Sequence, residues 1–260
     1  MLVNIVKIGG GIIEDEEQLA LFLTSFSEIE GAKILVHGGG RLATKIADEL
    51  GVKTTMIEGR RVTDDAMLKV VSMVYGGLTN KKIVTQLQKN GINALGLTGA
   101  DGNLIKSHKR QHATIDFGWV GDVDSVNTDL LNTLLASGIV PILAPLTHDG
   151  KGNLLNTNAD TIASEVAIAL AKSGVETKLI YGFELEGVLK DFNDKSSVIA
   201  EINSTSYREL KSESVISSGM IPKLDNAFNA ISSGVKRVYI CHALKVGKAV
   251  LGDAGTKIIN

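Results

Sequence analysis

The feature that most constrains this chain is a rhythm. Short runs rich in Ile, Leu and Val recur along it, at residues 3–8, 33–37, 94–97, 139–144, 177–181 and 237–241. Each reads as a strand buried on both faces. Helical patterns stand between them. Residues 16–28 place Leu19, Phe22, Leu23 and Phe26 on one face, and residues 42–50, 127–137, 158–171 and 221–232 read as helices too. Residues 64–90 read as one long helix broken at Gly76-Gly77. This alternation predicts an α/β fold: a three-layer sandwich whose mostly parallel central sheet is covered by helices on both faces. Residues 103–123 break the rhythm and are expected to form β-hairpins at the sheet's end. A chain of 260 residues suits one such domain, or two lobes sharing a sheet. The helix stop at Lys172-Ser173-Gly174 divides it into residues 1–172 and 173–260 on one continuous sheet.

Glycine placement narrows the function. There are 28 glycines against 3 prolines, and the glycines cluster. Lys7-Ile8-Gly9-Gly10-Gly11 follows the first strand directly, and His37-Gly38-Gly39-Gly40 follows the second. In an open α/β sheet, ligands bind beyond the carboxyl ends of the strands. Glycine lets backbone approach a ligand closely, and N–H groups at a turn or helix start favour an anion. Either cluster alone reads as well as a tight turn. Together, one led by a lysine, they point to anion binding.

Other classes fit less well. No G-x-x-x-x-G-K-[ST] loop is present. Gly38, Gly40 and Ala43 give a G-x-G-x-x-A match to dinucleotide folds, which leaves Lys7 unexplained. The His-Gly-Gly-Gly run resembles a lipase oxyanion loop, but no G-x-S-x-G elbow accompanies it. His108 and His112 lack the H-E-x-x-H pattern, and with His37, His148 and His242 they read as solvated or capping histidines. A net charge of -2 gives no nucleic-acid footprint, and no apolar run reaches membrane-spanning length. The first residues enter a strand without a signal-peptide pattern, so a cytoplasmic protein is expected. The lone Cys241 excludes an internal disulfide and reads as a small core residue.

Four charged segments complete the pattern. Glu58-Gly59-Arg60-Arg61-Val62-Thr63-Asp64 and Asn156-Thr157-Asn158-Ala159-Asp160 each lead into a helix. Gly121-Asp122-Val123 closes the hairpin region, and Ser218-Gly219-Met220-Ile221-Pro222-Lys223 carries a lysine onto a first helical turn. Singly, Asp160 reads as a helix-dipole partner and Lys223 as a surface lysine. With K-I-G-G and H-G-G-G, and with G-W-V-G-D-V at residues 118–123, the ordered set resembles the acetylglutamate kinase family of amino-acid kinases.

The resemblance implies ATP-dependent phosphorylation of the γ-carboxylate of N-acetyl-L-glutamate, in arginine biosynthesis. It implies catalytic roles for Lys7, Lys223, Asp160 and Gly10. Lys7 and Lys223 would flank the transferring phosphoryl, Asp160 would hold both lysines, and Gly10 would offer a backbone N–H. Gly39, Gly40, Arg61 and Asn156 would bind the acylglutamate. ATP, with Mg²⁺ on its phosphates rather than on protein side chains, would lie near Lys7, Gly9, Glu184, Leu185, Glu186, Gly187, Val188, Leu189, Val215, Ile216 and Ser217. The chemistry agrees: a γ-carboxylate is already ionised near neutral pH, so the site needs positioning and cationic charge rather than a general base.

Three positions depart from the family pattern. Glu184 stands where aspartate is usual, Arg41 where an uncharged residue is common, and Arg60 where leucine is common. The two added guanidinium groups raise N-succinyl-L-glutamate as an alternative substrate. A non-catalytic amino-acid sensor on the same fold is a further alternative, disfavoured by retention of Lys7, Lys223 and Asp160. Glutamate 5-kinase, carbamate kinase, aspartokinase and uridylate kinase share the fold, and the segments around Arg61 and Asn156 favour acylglutamate among them. The chain begins two residues before its first strand, where arginine-inhibited relatives carry an extra helix. A homodimer without arginine feedback is expected.

Overall fold

The computed structural model describes residues 1–57, 59–191, 193–213, 215–216 and 220–260. Among the described residues the strands run, in chain order, β1 (Leu2–Ile8), β2 (Ala32–His37), β3 (Met56–Ile57), β4 (Arg60–Arg61), β5 (Ala94–Leu97), β6 (Ile105–Lys109), β7 (Gly121–Val126), β8 (Val140–Leu143), β9 (Leu146–His148), β10 (Leu154–Asn156), β11 (Glu176–Phe183), β12 (Glu201–Ile202), β13 (Arg237–His242) and β14 (Thr256–Ile258). The helices are α1 (Gly10–Glu14), α2 (Glu16–Ser27), α3 (Gly40–Glu49), α4 (Asp65–Val71), α5 (Asn80–Lys89), α6 (Thr128–Ala136), α7 (Ala159–Lys172), α8 (Ser204–Ser212), α9 (Ile221–Ser232) and α10 (Val246–Leu251).

Eight strands form the central sheet in the order β12-β14-β13-β11-β1-β2-β8-β5. Every pair in it is parallel except β13 with β14. The predicted α/β sandwich is therefore the fold. β1 and β11 are near-continuous apolar runs because helices cover both faces. On one face α2 buries Leu19, Phe22, Leu23 and Phe26, the four residues its periodicity singled out. Burying each contributes about 1.5–3 kcal/mol. On the other face α7 and α9 pack against β1, β11 and β13.

The structure differs from expectation in a few places. The long helix does not break at Gly76-Gly77. It continues from α4 through a π-helical segment, Ser72–Thr79, into α5. A π segment inserts a residue into the helical register, and here it turns Tyr75 inward. The irregular region yields one antiparallel pair, β6 with β7, which joins β9 and β10 in a four-stranded sheet. Strand structure is confined to its two ends, and the stretch containing His112 to Phe117 lies outside strands. The short α1 and α10, and the two- and three-residue strands β12 and β14, were not anticipated because each is too short to show a period. α8 was not anticipated either: it is largely polar, with Tyr207 as its buried residue.

Candidate active site

Asp160 collects the charges. It stands in the first turn of α7, where the side chain of Asn158 accepts the N–H groups of Asp160 and Thr161 at 2.8 and 3.1 Å. Buried Tyr181 of β11 donates its hydroxyl to the Asp160 carbonyl at 3.2 Å, tying the helix start to the sheet. Lys7, near the end of β1, brings Nζ to 2.6 Å from Oδ1, and Lys223, in the first turn of α9, brings Nζ to 2.6 Å from Oδ2. α9 is seated by Tyr207 of α8, whose ring stacks on Phe228 at 5.0 Å and whose hydroxyl donates to Asp225 at 2.7 Å.

Two ammonium groups share one carboxylate, so the cluster keeps one net positive charge. Its side chains are largely out of water: Lys7 is 10% exposed, Asp160 13% and Lys223 25%. Burial alone would push the Asp160 carboxyl up. The charges of Lys7 and Lys223 outweigh it and hold the group well below the ordinary carboxylate range. Burial pulls the Lys7 ammonium below its ordinary value, against the attraction of Asp160 and with the repulsion of Lys223.

The two glycine turns meet beside this cluster. The Gly9 N–H donates to the Gly182 carbonyl at 3.1 Å and the Gly38 N–H to that of Ile8 at 3.2 Å, so each turn extends the sheet's ladder by one bond. Gly39 has φ +148°, and a Cβ there would stand 3.1 Å from the Tyr75 ring. The backbone conformation favours glycine, and a side chain would also need the Tyr75 ring to give by a few tenths of an ångström. A cavity of about 220 Å³ opens at this point, and Lys7, Gly10, Gly39, Gly40, Arg61, Asn156 and Asp160 all line it. Arg61 is buried, with Nη2 donating to the Gly40 carbonyl at 2.7 Å and to Thr44 at 2.9 Å, and Nη1 donating to Thr54 at 3.2 Å. Asn156 donates to Thr63 Oγ1 at 2.9 Å.

Of the residues expected to act in catalysis or acylglutamate binding, all but Lys223 line this one cavity. Lys223 is joined to it through Asp160, although Lys7 and Lys223 lie near opposite ends of the chain. Of Arg41 and Arg60, Arg60 lines the cavity and Arg41 does not. Arg41 instead pairs with Glu184 at 3.2 Å, both more than half exposed, and the Glu184 carboxylate lies over Gly11, where a Cβ would collide with it. The positions expected for nucleotide separate into two kinds. Glu184, Leu185 and Glu186 follow β11 and are at least partly exposed, with Glu186 paired to Lys245 at 2.7 Å. Gly187, Val188, Leu189 and Ile216 are buried, and the Val188 N–H donates to Thr256 Oγ1 at 2.8 Å. The side chains of Val188, Leu189 and Ile216 serve the core. Val215 is half-buried, and Ser217 lies outside the described residues, as do Glu58, Ser218 and Gly219 of the motifs.

Sequence reasoning missed Tyr75 and misjudged His37. Tyr75 lines the cavity from the π-helical segment. An aromatic next to paired glycines in a helical stretch was the available signal. His37 is fully buried rather than solvated or capping, and burial lowers its pKa to about 4. The other histidines do serve locally. His112, His148 and His242 accept backbone N–H groups two residues on, and His108 sits 2.6 Å from Asp124. Cys241 is buried, which pushes its thiol up to about 12, with Glu186 adding to the shift. No group of three or more His, Cys, Asp or Glu suited to a metal occurs among the described residues.

The pattern of the amino acid kinase family matches residues 3–242. Acetylglutamate kinase of Cytophaga hutchinsonii is 54% identical over 98% of this chain and 97% of that protein. Acetylglutamate kinase of Parabacteroides distasonis is 56% identical over 93% of this chain and 94% of its own length. The crystal structure of smu.665 from Streptococcus mutans UA159 superposes with a TM-score of 0.78 at 29% identity, covering 99% of this chain and 98% of that one. A likeness that runs the length of both partners, on a fold that draws two distant lysines onto one aspartate, means that this chain belongs to the amino acid kinase family, among its acetylglutamate kinases.

Proposed function

We propose that this protein transfers the γ-phosphoryl group of ATP to the γ-carboxylate of N-acetyl-L-glutamate, in arginine biosynthesis. One observation carries the reading: Lys7 and Lys223 share Asp160 at 2.6 Å each, beside two glycine turns on a common cavity. When a carboxylate attacks a phosphoryl group, negative charge accumulates on both sides. A pre-organised cluster with a net positive charge stabilises it. In this reading Lys7 and Lys223 contact the transferring group, Asp160 holds them apart, and Gly10 adds a backbone N–H. Gly39, Gly40, Arg61 and Asn156 hold the acylated amino acid, with Arg61 facing its α-carboxylate. ATP lies along the carboxyl end of β11, over Gly9 and residues 184–189 and 215–217, so residues 1–172 serve the acceptor and 173–260 the nucleotide.

Both Asp160 oxygens are engaged by ammonium groups, so that carboxylate is not on offer to a metal. This fits Mg²⁺ arriving on the phosphates of ATP. A homodimer fits the exposed Met73 and Leu78 on the π segment, and the open sheet edge at β5, where Leu95 is 39% exposed. A cytoplasmic location fits a biosynthetic enzyme, and no helix among the described residues is long and apolar enough to cross a membrane. A sensor that had lost catalysis would have no need of the lysine pair.

A second acceptor is favoured by one observation. Arg60 lines the cavity with Arg61, which suits an acyl group bearing its own carboxylate, as in N-succinyl-L-glutamate. ATP consumption measured with glutamate, N-acetylglutamate and N-succinylglutamate tests both readings. Turnover on an N-acylglutamate that disappears in Lys7→Ala and Lys223→Ala is the expected result. No turnover on either acylglutamate would sink the assignment.

A further inference from the structure

The Gly38–Gly40 turn has its carbonyls and its N–H groups sorted. The Gly39 carbonyl accepts the Ala43 N–H at 2.9 Å, and the Gly40 carbonyl accepts Arg61 Nη2 at 2.7 Å and Thr44 Oγ1 at 3.1 Å. The Gly38 carbonyl is 2.8 Å from Nδ1 of His37. A carbonyl can only accept, so Nδ1 carries the hydrogen. All three carbonyls are thus held by donors from the protein. At the start of α3 the N–H groups of Gly39 and Gly40 lack intrahelical partners, and both nitrogens lie within about 4 Å of a Cβ placed on Gly10. They are the polar atoms this turn can present to an anion.

His37 is held in turn by Asn80. Nδ2 of Asn80 lies 2.9 Å from the Ile142 carbonyl and 3.1 Å from Nε2 of His37. Its Oδ1 accepts from Lys81 Nζ at 3.3 Å. The carbonyl on Nδ2 and the ammonium on Oδ1 fix which way the amide points. Nε2 of His37 therefore faces a donor and must accept, so the ring is neutral with its hydrogen on Nδ1. The pair is fully buried, and a Cβ at Gly96 would fall within 2 Å of Asn80 Oδ1, so β5 needs glycine where Asn80 sits.

We propose that Asn80 and His37 are positioning residues: Asn80 fixes the His37 tautomer, and His37 holds the Gly38 carbonyl so that the Gly39 and Gly40 N–H groups face the acceptor's carboxylate. This rests on the acylglutamate reading of the cavity. Neither residue touches the substrate. Freed from His37, the Gly38 peptide can rotate and bring a carbonyl toward an anion, which weakens acceptor binding and leaves the nucleotide side alone.

Steady-state kinetics on the full chain, with both substrates varied, test this. His37→Leu and Asn80→Ala should raise KM for N-acetylglutamate and lower kcat/KM for it by about 10–100-fold, on the scale of other supporting-shell losses, with KM for ATP unchanged. His37→Asn, which restores a donor near the Nδ1 position, should recover most of that loss. A merely structural role would reduce the active fraction, scaling kcat while leaving both KM values in place, and that result would overturn the proposal. So would His37→Asn losing as much as His37→Leu. Nitrogen NMR of the unmodified protein gives a readout independent of activity and of variant folding: His37 should be the Nδ1–H tautomer, and an Nε2–H tautomer overturns the proposal. If the unmodified protein fails to phosphorylate N-acetylglutamate, the functional reading is what has failed, and the tautomer still reports on the pair.

Discussion

Lys7 and Lys223 approach opposite oxygens of one carboxylate, each at 2.6 Å, from strands and helices at the two ends of the chain. Without that carboxylate the two ammonium groups would repel one another in a poorly solvated site. Asp160→Asn removes the charge while keeping the shape. It should lower kcat/KM by about 10²–10³, comparable with losing one oxyanion donor. The loss of stability should reach up to about 3 kcal/mol, because two partly buried cations are left without their counter-ion. The pH dependence has a definite sign. The carboxyl pKa is lower in the folded state than in the unfolded chain, so ionisation favours folding above the ordinary carboxylate range, and that contribution is lost as pH falls through the folded value. Denaturant unfolding of protein and variant should therefore differ by a constant amount from neutral pH to about pH 4 and converge below it. A gap that stayed constant to pH 2 would contradict this account.

Much of this arrangement was legible beforehand, and the exceptions have physical causes. Strand runs on β1, β2, β8, β11 and β13 stood out because strands buried on both faces must be apolar throughout. β5 shows the same apolar run although it is the sheet's edge and only Ala94 of it is buried. Lys7, Asp160 and Lys223 could be named because the ordered motifs that carry them resemble a known family's; singly, Asp160 read as a helix-dipole partner and Lys223 as a surface lysine. What stayed hidden was what the charged and polar groups do to one another. Arg41 and Glu184 each looked anomalous alone, and only the fold shows that they pair, so that Arg41 does not reach the cavity. His37 read as solvated or capping because nothing local shows that Asn80, from a helix distant in sequence, closes over it. The π segment escaped notice because one inserted residue barely disturbs a helical period.

Lys7 should also set an upper pH limit on activity. Burial is the largest influence on its ammonium, and the net effect lowers the pKa below the ordinary lysine value. The free enzyme should then lose the Lys7 charge, and with it phosphoryl transfer, on an alkaline limb that begins below about pH 10.4. The pH profile of kcat/KM reports groups of the free enzyme, so it is the appropriate measurement. A profile flat up to the ordinary lysine value would show that Asp160 fully compensates for burial.

Gly39 tests whether the turn is built to measure. Its φ of +148° is a conformation that other residues rarely adopt, and a Cβ would press on Tyr75 Cδ1 at 3.1 Å. Gly39→Ala should cost about 1–3 kcal/mol in unfolding free energy, from backbone strain and displacement of Tyr75. The displaced ring should also raise KM for the acceptor while KM for ATP stays put, because Tyr75 lines the cavity beside Arg61. Thermal unfolding with two-substrate kinetics reads both effects. A variant as stable as the parent would mean that the turn tolerates a side chain.

Arg41 and Arg60, adjoining the acceptor motifs, make opposite predictions about the acyl group. Arg60 lines the cavity, whereas Arg41 is occupied with Glu184 outside it. If an extended, carboxylate-bearing acyl group is accepted, Arg60→Leu should lower kcat/KM for N-succinylglutamate and leave N-acetylglutamate nearly unaffected. One charge-assisted hydrogen bond contributes about 1.5–3 kcal/mol, which is roughly a 10- to 150-fold change in the ratio of the two substrates. Arg41→Ala removes only a solvent-exposed ion pair, which contributes about 0–1 kcal/mol, and should leave that ratio where it was. An Arg60→Leu enzyme with an unchanged ratio would place the acyl carboxylate elsewhere. A ratio that moved with Arg41 instead would mean that the Glu184 pairing opens when the acceptor binds.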